Sequence, residues 1–172
     1  MATMFFPLEQ GYLVSRDNVV MLLVMDRTLN CLSYNCRGFN VAKRAYIKSL
    51  LVLLQCDILF IQEHWLSDGQ LDQLGSLSPD HLFTAVSGFD NSDVLSGRPY
   101  GGCAILWRRN ISLKVIPVNV NSRRLCYLSL SGMHFKALCI NVYMPYEHDG
   151  ASFDEFVMQM SLISDLIKRN LD

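Results

Sequence analysis

The sequence predicts a single mixed α/β domain, with helices packed on sheets, on three observations. A strand-like run, an amphipathic helix and a second strand-like run follow one another between residues 28 and 62, which is a β-α-β unit. Four more strand-like runs crowd into residues 102–143. The stretch "ASFDEFVMQMSLISDLIKRN", 151–170, then carries helical apolar spacing. A chain of 172 residues with 51% hydrophobic content can bury a real core.

In order along the chain, residues 1–26 are weakly patterned and form a segment ahead of the main unit, 27–172. Within them "VVMLLVM", 19–25, is too short to span a bilayer and reads as an extra strand. Glu9 and Asp17 interrupt the first 25 residues and a basic n-region is missing, so no signal peptide is expected. "TLNCLSYN", 28–35, is strand-like. Asn40 caps a helix to about Gln55, with Ile47, Leu50, Leu51 and Leu54 on one face and Lys43, Arg44 and Lys48 on the other. "DILFI" follows at once, a crossover that suits two parallel strands.

The pattern then changes. "LSDGQLDQL" is a short helix or turn, "HLFTAVS" a strand, and residues 87–101 a long polar loop. "GCAILWR", "ISLKVIPV", "RLCYLSLS" and "HFKALCINVY" are joined by short turns, which predicts antiparallel pairing. In the final helix Ser152 and Glu155 spell an S-x-x-E capping box. Phe156, Met160, Ile163 and Ile167 form its apolar stripe, and Lys168 and Arg169 suit its C-terminal dipole. A helix placed this way normally returns the chain to another strand, so the layout reads as unfinished.

The net charge of −1 gives no bulk basic field, although a local groove can still be basic. Cys31, Cys36, Cys56, Cys103, Cys126 and Cys139 include no C-x-x-C pair, and most sit in apolar runs. They read as free thiols packed as small hydrophobes, which fits an intracellular compartment, nucleus or cytoplasm. The high apolar content hints that some apolar surface is left uncovered.

Polar residues collect at strand ends. Asn35 ends the first strand of the β-α-β unit and Glu63 lies just beyond the second. Parallel strands point their C-terminal ends to one edge, where open α/β sheets place ligands. Asn141 and Tyr143, in "INVYMPY", share a face by two-residue alternation. A carboxylate there could hold Mg²⁺, which needs only one or two protein ligands. The residues alone leave open a second reading, that of solvated strand ends.

"LSYNCRG", "LFIQEHW", "GRPYGGCAILW" and "INVYMPY" together resemble, in order and spacing, the endonuclease/exonuclease/phosphatase superfamily. The wording of "SYNCRG" and "GRPYGGCAILW" is closest to the endonuclease domain of LINE-type non-LTR retrotransposons. The resemblance covers about residues 28–170. It implies a partial four-layer α/β sandwich, two facing β-sheets with outer helices, whose C-terminal half is missing. It implies phosphodiester hydrolysis with Mg²⁺ or Mn²⁺, DNA as partner, and no membrane. Glu63 matches the metal-binding glutamate, Asn35 the asparagine that arranges metal and phosphate, and Tyr143 the tyrosine on the scissile phosphate.

Arg98 and Tyr100 could meet a phosphate and a base face, with Asn141 as a further substrate contact. His64, beside Trp65, reads as a packing or loop residue, and Gly101 and Gly102 as turn residues. Arg108, Arg109, Arg123 and Arg124 read equally as a backbone-binding rim or as solubility residues. The family's later Gly-Asp-Phe-Asn and Ser-Asp-His motifs have no counterpart. "GFDN" at 88–91 has its letters in the wrong order, Asp80-His81 opens a strand in the first half, and "SDL" at 164–166 lies in a helix. The expectation is therefore a truncated endonuclease-like hydrolase, inactive alone, or a non-catalytic nucleic-acid or protein binding module on the same fold. A missing C-terminal half is the further partner implied.

Overall fold

The computed structural model describes residues 2–7, 11–16, 19–24, 27–89, 99–133, 135–145 and 150–171. Its elements are β1 (Ala2–Pro7), β2 (Gly11–Arg16), β3 (Val19–Val24), β4 (Arg27–Asn35), α1 (Val41–Leu53) and β5 (Ile58–Gln62). A run of 3₁₀ turns, Asp68–Leu77, follows, then β6 (His81–Val86), β7 (Cys103–Arg108), β8 (Lys114–Val118), β9 (Leu125–Gly132), β10 (Phe135–Val142) and α2 (Gly150–Leu171).

The strands form two sheets, one of six in the order β2-β3-β4-β5-β7-β6 and one of four in the order β1-β10-β9-β8. Three apolar clusters separate the layers. Ile58, Phe60 and Ile105 meet Leu128, Leu130 and Cys139 between the sheets. Leu59, Ile61 and Leu106 on the outer face of the six-stranded sheet meet Ile47, Leu51 and Leu74 of α1 and the 3₁₀ run. Leu138, Ile140 and Val142 on the outer face of the other meet Ile163 and Leu166 of α2. The result is a helix–sheet–sheet–helix sandwich. Among the described residues no helix is long and apolar enough to cross a membrane.

The β-α-β unit has the expected form. Asn40 Oδ1 accepts from the Lys43 backbone N–H at 2.9 Å, satisfying one of the free donors that open α1. Ile47 and Leu51 are its buried positions. β4 and β5 run parallel, with Asn35 opposite Gln62 at the end of the pair. The six cysteines are free and buried, and burial pushes the Cys56 and Cys103 thiols up to about 12. They therefore pack as small hydrophobes.

Three expectations change. β7 does not join β8, β9 and β10; it lies between β5 and β6, antiparallel to both, while β8–β10 make the other sheet. Its residues Cys103–Trp107 are all buried, which demands an interior place covered on both faces. β8 carries Pro117 and stands at an edge, where the missing N–H costs least. The capping box is not at the helix start, because α2 begins at Gly150 and Ser152 lies inside it. Glu155 instead forms an ion pair with Arg124. Finally, the apolar stripe of α2 is rotated: Ile163 is 2% exposed and Leu166 5%, but Phe156 is 39% and Met160 41%.

The strands β1–β3 contribute to both sheets. β1 pairs antiparallel with β10, and the β2–β3 hairpin continues the six-stranded sheet beyond β4. The two strands that carry Asn35 and Asn141 therefore have neighbours on both sides.

Candidate active site

At the C-terminal ends of β4 and β5 the backbone leaves regular strand geometry. Glu63 has φ 55°, Trp65 φ 58° and Arg37 φ 46°, left-handed values that cost L-residues about 1–2 kcal/mol each. Such turns persist only where surrounding bonds hold them. Cys36 N–H donates to the Gln62 carbonyl at 2.8 Å, Gly38 N–H to that of Glu63 at 2.8 Å, and Phe39 N–H to that of His64 at 3.0 Å. From the other side Glu63 N–H donates to the Gly102 carbonyl at 2.9 Å and Trp65 N–H to that of Gly101 at 3.2 Å. The Glu63 segment is thus laced between two loops.

That lacing presents the Glu63 carboxylate to Asn35. The Asn35 amide Nδ2 donates to Glu63 Oε1 at 2.8 Å, while Asn35 Oδ1 accepts from the Arg37 N–H at 3.1 Å. The second bond orients the amide so that its NH₂ faces the carboxylate. The Glu63 carboxylate suits part of a Mg²⁺ site, since Mg²⁺ keeps several waters, and the Asn35 amide, with its oxygen on the Arg37 N–H, orients that carboxylate. Among the described residues there is no cluster of three or more His, Cys, Asp or Glu side chains placed to hold a metal.

Tyr143 stands just past β10. Its N–H donates to the Arg124 carbonyl at 2.8 Å, and the Arg124 guanidinium lies 5.8 Å from its ring centroid. A Cβ on Gly101 would meet the ring at 3.6 Å, so the glycine loop that holds Glu63 also flanks Tyr143. Burial raises the Tyr143 phenol, and the negative charge of Glu63 raises it further. Asn35, Glu63 and Tyr143 therefore lie around one mouth between the two sheets.

The other candidates divide by location. Asn141, expected at the substrate, is fully buried between the sheets, with its amide bonded to Ile61, Ala104 and Gln62. It sits one alternation deeper than Tyr143, where the sheets close over it. Tyr100 is 48% exposed beside Phe89, with ring centroids 6.3 Å apart. Arg98 lies outside the described residues, as do Asp90 and Asn91 of "GFDN".

Arg108 pairs with Asp57 at 3.2 Å and Arg109 donates to the Pro79 carbonyl at 2.9 Å, both at the opposite edge of the sheet from Glu63. His81 is also there, bonded to the Cys56 carbonyl. Arg123 and Arg124 are on the mouth side. Arg123 bonds the Phe89 carbonyl at 2.9 Å and Asp68 at 3.3 Å, and Arg124 is held by Glu155. Only the chain path separates the two arginine pairs; their sequence contexts do not.

His64 is buried. Its Nδ1 accepts from the Leu66 N–H at 3.0 Å and its Nε2–H donates to the Val86 carbonyl at 3.1 Å. Burial lowers it from 6.5 to about 4, so it is a neutral packing residue. Gly101 (φ 68°) and Gly102 (φ 87°) do more than turn the chain: a Cβ on Gly102 would stand 2.4 Å from the His64 ring. Side-chain removal at these two positions is what admits His64 and Tyr143.

The profile of the Endonuclease/Exonuclease/phosphatase family matches residues 32–165. No curated protein sequence matches the chain. Among solved structures, the AP endonuclease LMAP of Leishmania major is similar at 15% identity and TM-score 0.53, over 72% of this chain and 42% of that one. The 3′ phosphatase NExo of Neisseria, bound to a product DNA hairpin, is similar at 18% identity and TM-score 0.56, over 81% of this chain and 53% of that one. The 3′-5′ exonuclease NExo of Neisseria meningitidis is similar at 19% identity and TM-score 0.55, over the same shares. The chain thus spans about half the length of these neighbours.

Proposed function

The chain belongs to the Endonuclease/Exonuclease/phosphatase family, and from that premise we propose that it is the first part of a Mg²⁺- or Mn²⁺-dependent phosphodiester hydrolase acting on DNA, related to retrotransposon endonucleases of the LINE type. The Asn35–Glu63 hydrogen bond at the mouth between the sheets is the observation that carries this reading. A carboxylate set in a strained turn and oriented by a neutral amide is placed to hold a hard cation, with Asn35 fixing one oxygen. The cation supplies charge neutralisation at the phosphoryl oxygens. Tyr143, its ring beside Arg124, is positioned to donate a hydrogen bond to the same phosphate. DNA is preferred because a structural neighbour is bound to a product DNA hairpin and because of the LINE-like motifs.

The chain alone is expected to be catalytically silent. Hydrolysis needs an activated water and stabilised charge together, and the family's later aspartate, asparagine and histidine motifs are not among these 172 residues. Calorimetry should detect weak Mn²⁺ binding that Glu63→Gln abolishes; unchanged binding would place the ion elsewhere. Fusing a family C-terminal half after Asp172 should produce Mg²⁺-dependent nicking of plasmid DNA. Nicking by residues 1–172 alone, lost in Glu63→Gln, would overturn the proposal of a silent part.

A binding module without chemistry is the second reading, favoured by Arg123 and Arg124 on the mouth side. It predicts DNA binding without cleavage. Arg124→Ala should lower the slope of log affinity against log salt by about one. An unchanged slope would remove Arg124 from the DNA contact.

A further inference from the structure

Asn141 belongs to β10 in the four-stranded sheet, yet its side chain is bonded entirely to the other sheet. Nδ2 donates to the Ile61 carbonyl at 2.8 Å and to the Ala104 carbonyl at 2.8 Å, and Oδ1 accepts from Gln62 Nε2 at 2.6 Å. Ile61 and Ala104 face each other across the β5–β7 ladder. Gln62 Nε2 also reaches Ser33 Oγ on β4 at 3.2 Å. One buried amide thus joins β10 to β5 and β7 directly, and to β4 through Gln62.

We infer that Asn141 and Gln62 form a buried amide clamp that fixes the separation of the two strands bearing the candidate site. Glu63 lies two residues beyond Ile61, and Tyr143 two residues beyond Asn141. The clamp lies directly beneath the pair, and the Cys103 thiol adds a hydrogen bond to the Arg124 carbonyl at 3.3 Å across the same gap. Deeper between the sheets the contact is apolar, built from residues such as Phe60, Ile105, Leu128 and Cys139. Apolar contact is strong but non-directional, so it resists separation more than sliding. Hydrogen bonds to two carbonyls fix both distance and angle. Asn141 and Gln62 are then positioning residues for Glu63 and Tyr143. The inference rests on the reading that those two serve one phosphate.

The paired variant Gln62→Met/Asn141→Leu removes both amides together; the Ile61 and Ala104 carbonyls and the Ser33 hydroxyl each lose a donor, so retention of the fold is checked first by circular dichroism. The readout is the ring signals of Tyr143 in protein labelled with ¹³C-tyrosine. In the wild type Glu63→Gln should move those signals, because the carboxylate's charge reaches the ring. In the clampless background the same change should move them at least about threefold less, as the field falls with distance. An equal response in both backgrounds would overturn the inference and leave the amides a merely structural role. So would no response in the wild type.

A further measurement needs no variant. The side-chain amide protons of Asn141 should exchange with solvent far more slowly than those of the exposed Asn40, and exchange at the Asn40 rate would also overturn the clamp. Neither experiment involves a metal. Failure of Mn²⁺ binding would therefore strike the functional reading and leave the clamp standing, and failure of the clamp would leave metal binding standing.

Discussion

Glu63, His64 and Trp65 are consecutive, yet the backbone sends them to three environments: a site mouth, a sealed polar pocket and the face of Gly38. The pocket has a consequence in acid. His64 is held at about 4 in the folded chain against 6.5 ordinarily, because burial penalises the imidazolium. A histidine depressed in this way keeps its full stabilising effect above about pH 6.5, and stability falls as pH drops towards about 4, since only the unfolded chain takes up the proton. The loss amounts to about 3 kcal/mol. Urea unfolding at about pH 7.5 and pH 4.5 should show it, and His64→Phe should flatten the slope. Gly102 is the other half of the same fit. Gly102→Ala adds a Cβ at φ 87° against the imidazole, and should cost roughly 3 kcal/mol or more in the same assay. A loss below about 1 kcal/mol would mean that the His64 ring can move aside.

Among the elements, α2 shows how a stripe can be amphipathic and still be misread. Its apolar residues cover a broader arc than the sheet needs. Ile163 and Leu166 face β9 and β10, buried Gln159 accepts from the Ser122 hydroxyl at 2.9 Å, and the Arg124–Glu155 ion pair flanks that face. Phe153, Phe156, Val157 and Met160 remain exposed along the other flank. Truncation should therefore separate the two sides. Ile163→Ala, at a position 2% exposed, should cost about 2–4 kcal/mol, while Met160→Ala should cost under about 1 kcal/mol. Equal costs, measured by thermal or urea unfolding, would show that something covers Met160 in solution.

In the molecule as a whole, the strands ahead of the family match decide how the sheets end. Without β1–β3, β4 and β10 would be open edges beside the site, and open edges recruit other chains. Deleting residues 1–26 should therefore raise self-association, read by light scattering, while the helix signal of α1 and α2 persists. Unchanged monodispersity after the deletion would mean that those edges are protected by other means.

Much of this was legible in the residues themselves. The β-α-β unit, the Asn40 cap, the free buried thiols and the strand-end placement of Asn35 and Glu63 are consequences of local rules: periodicity, capping and the common direction of parallel strands. The four motifs likewise carry the family resemblance in the residues alone. What tertiary structure alone decided is non-local. Nothing in "GCAILWR" says that β7 leaves its successors for the other sheet; its burial on both faces does. Arg108 and Arg124 stand in similar strand-flanking contexts, yet one pairs at the far edge and the other reaches Tyr143. Asn141 and Tyr143 share a strand face, but the facing sheet closes over one and leaves the other half-buried. Sequence patterns report which face a residue takes; only the approach of a second layer determines whether that face meets water, a ligand or another carbonyl.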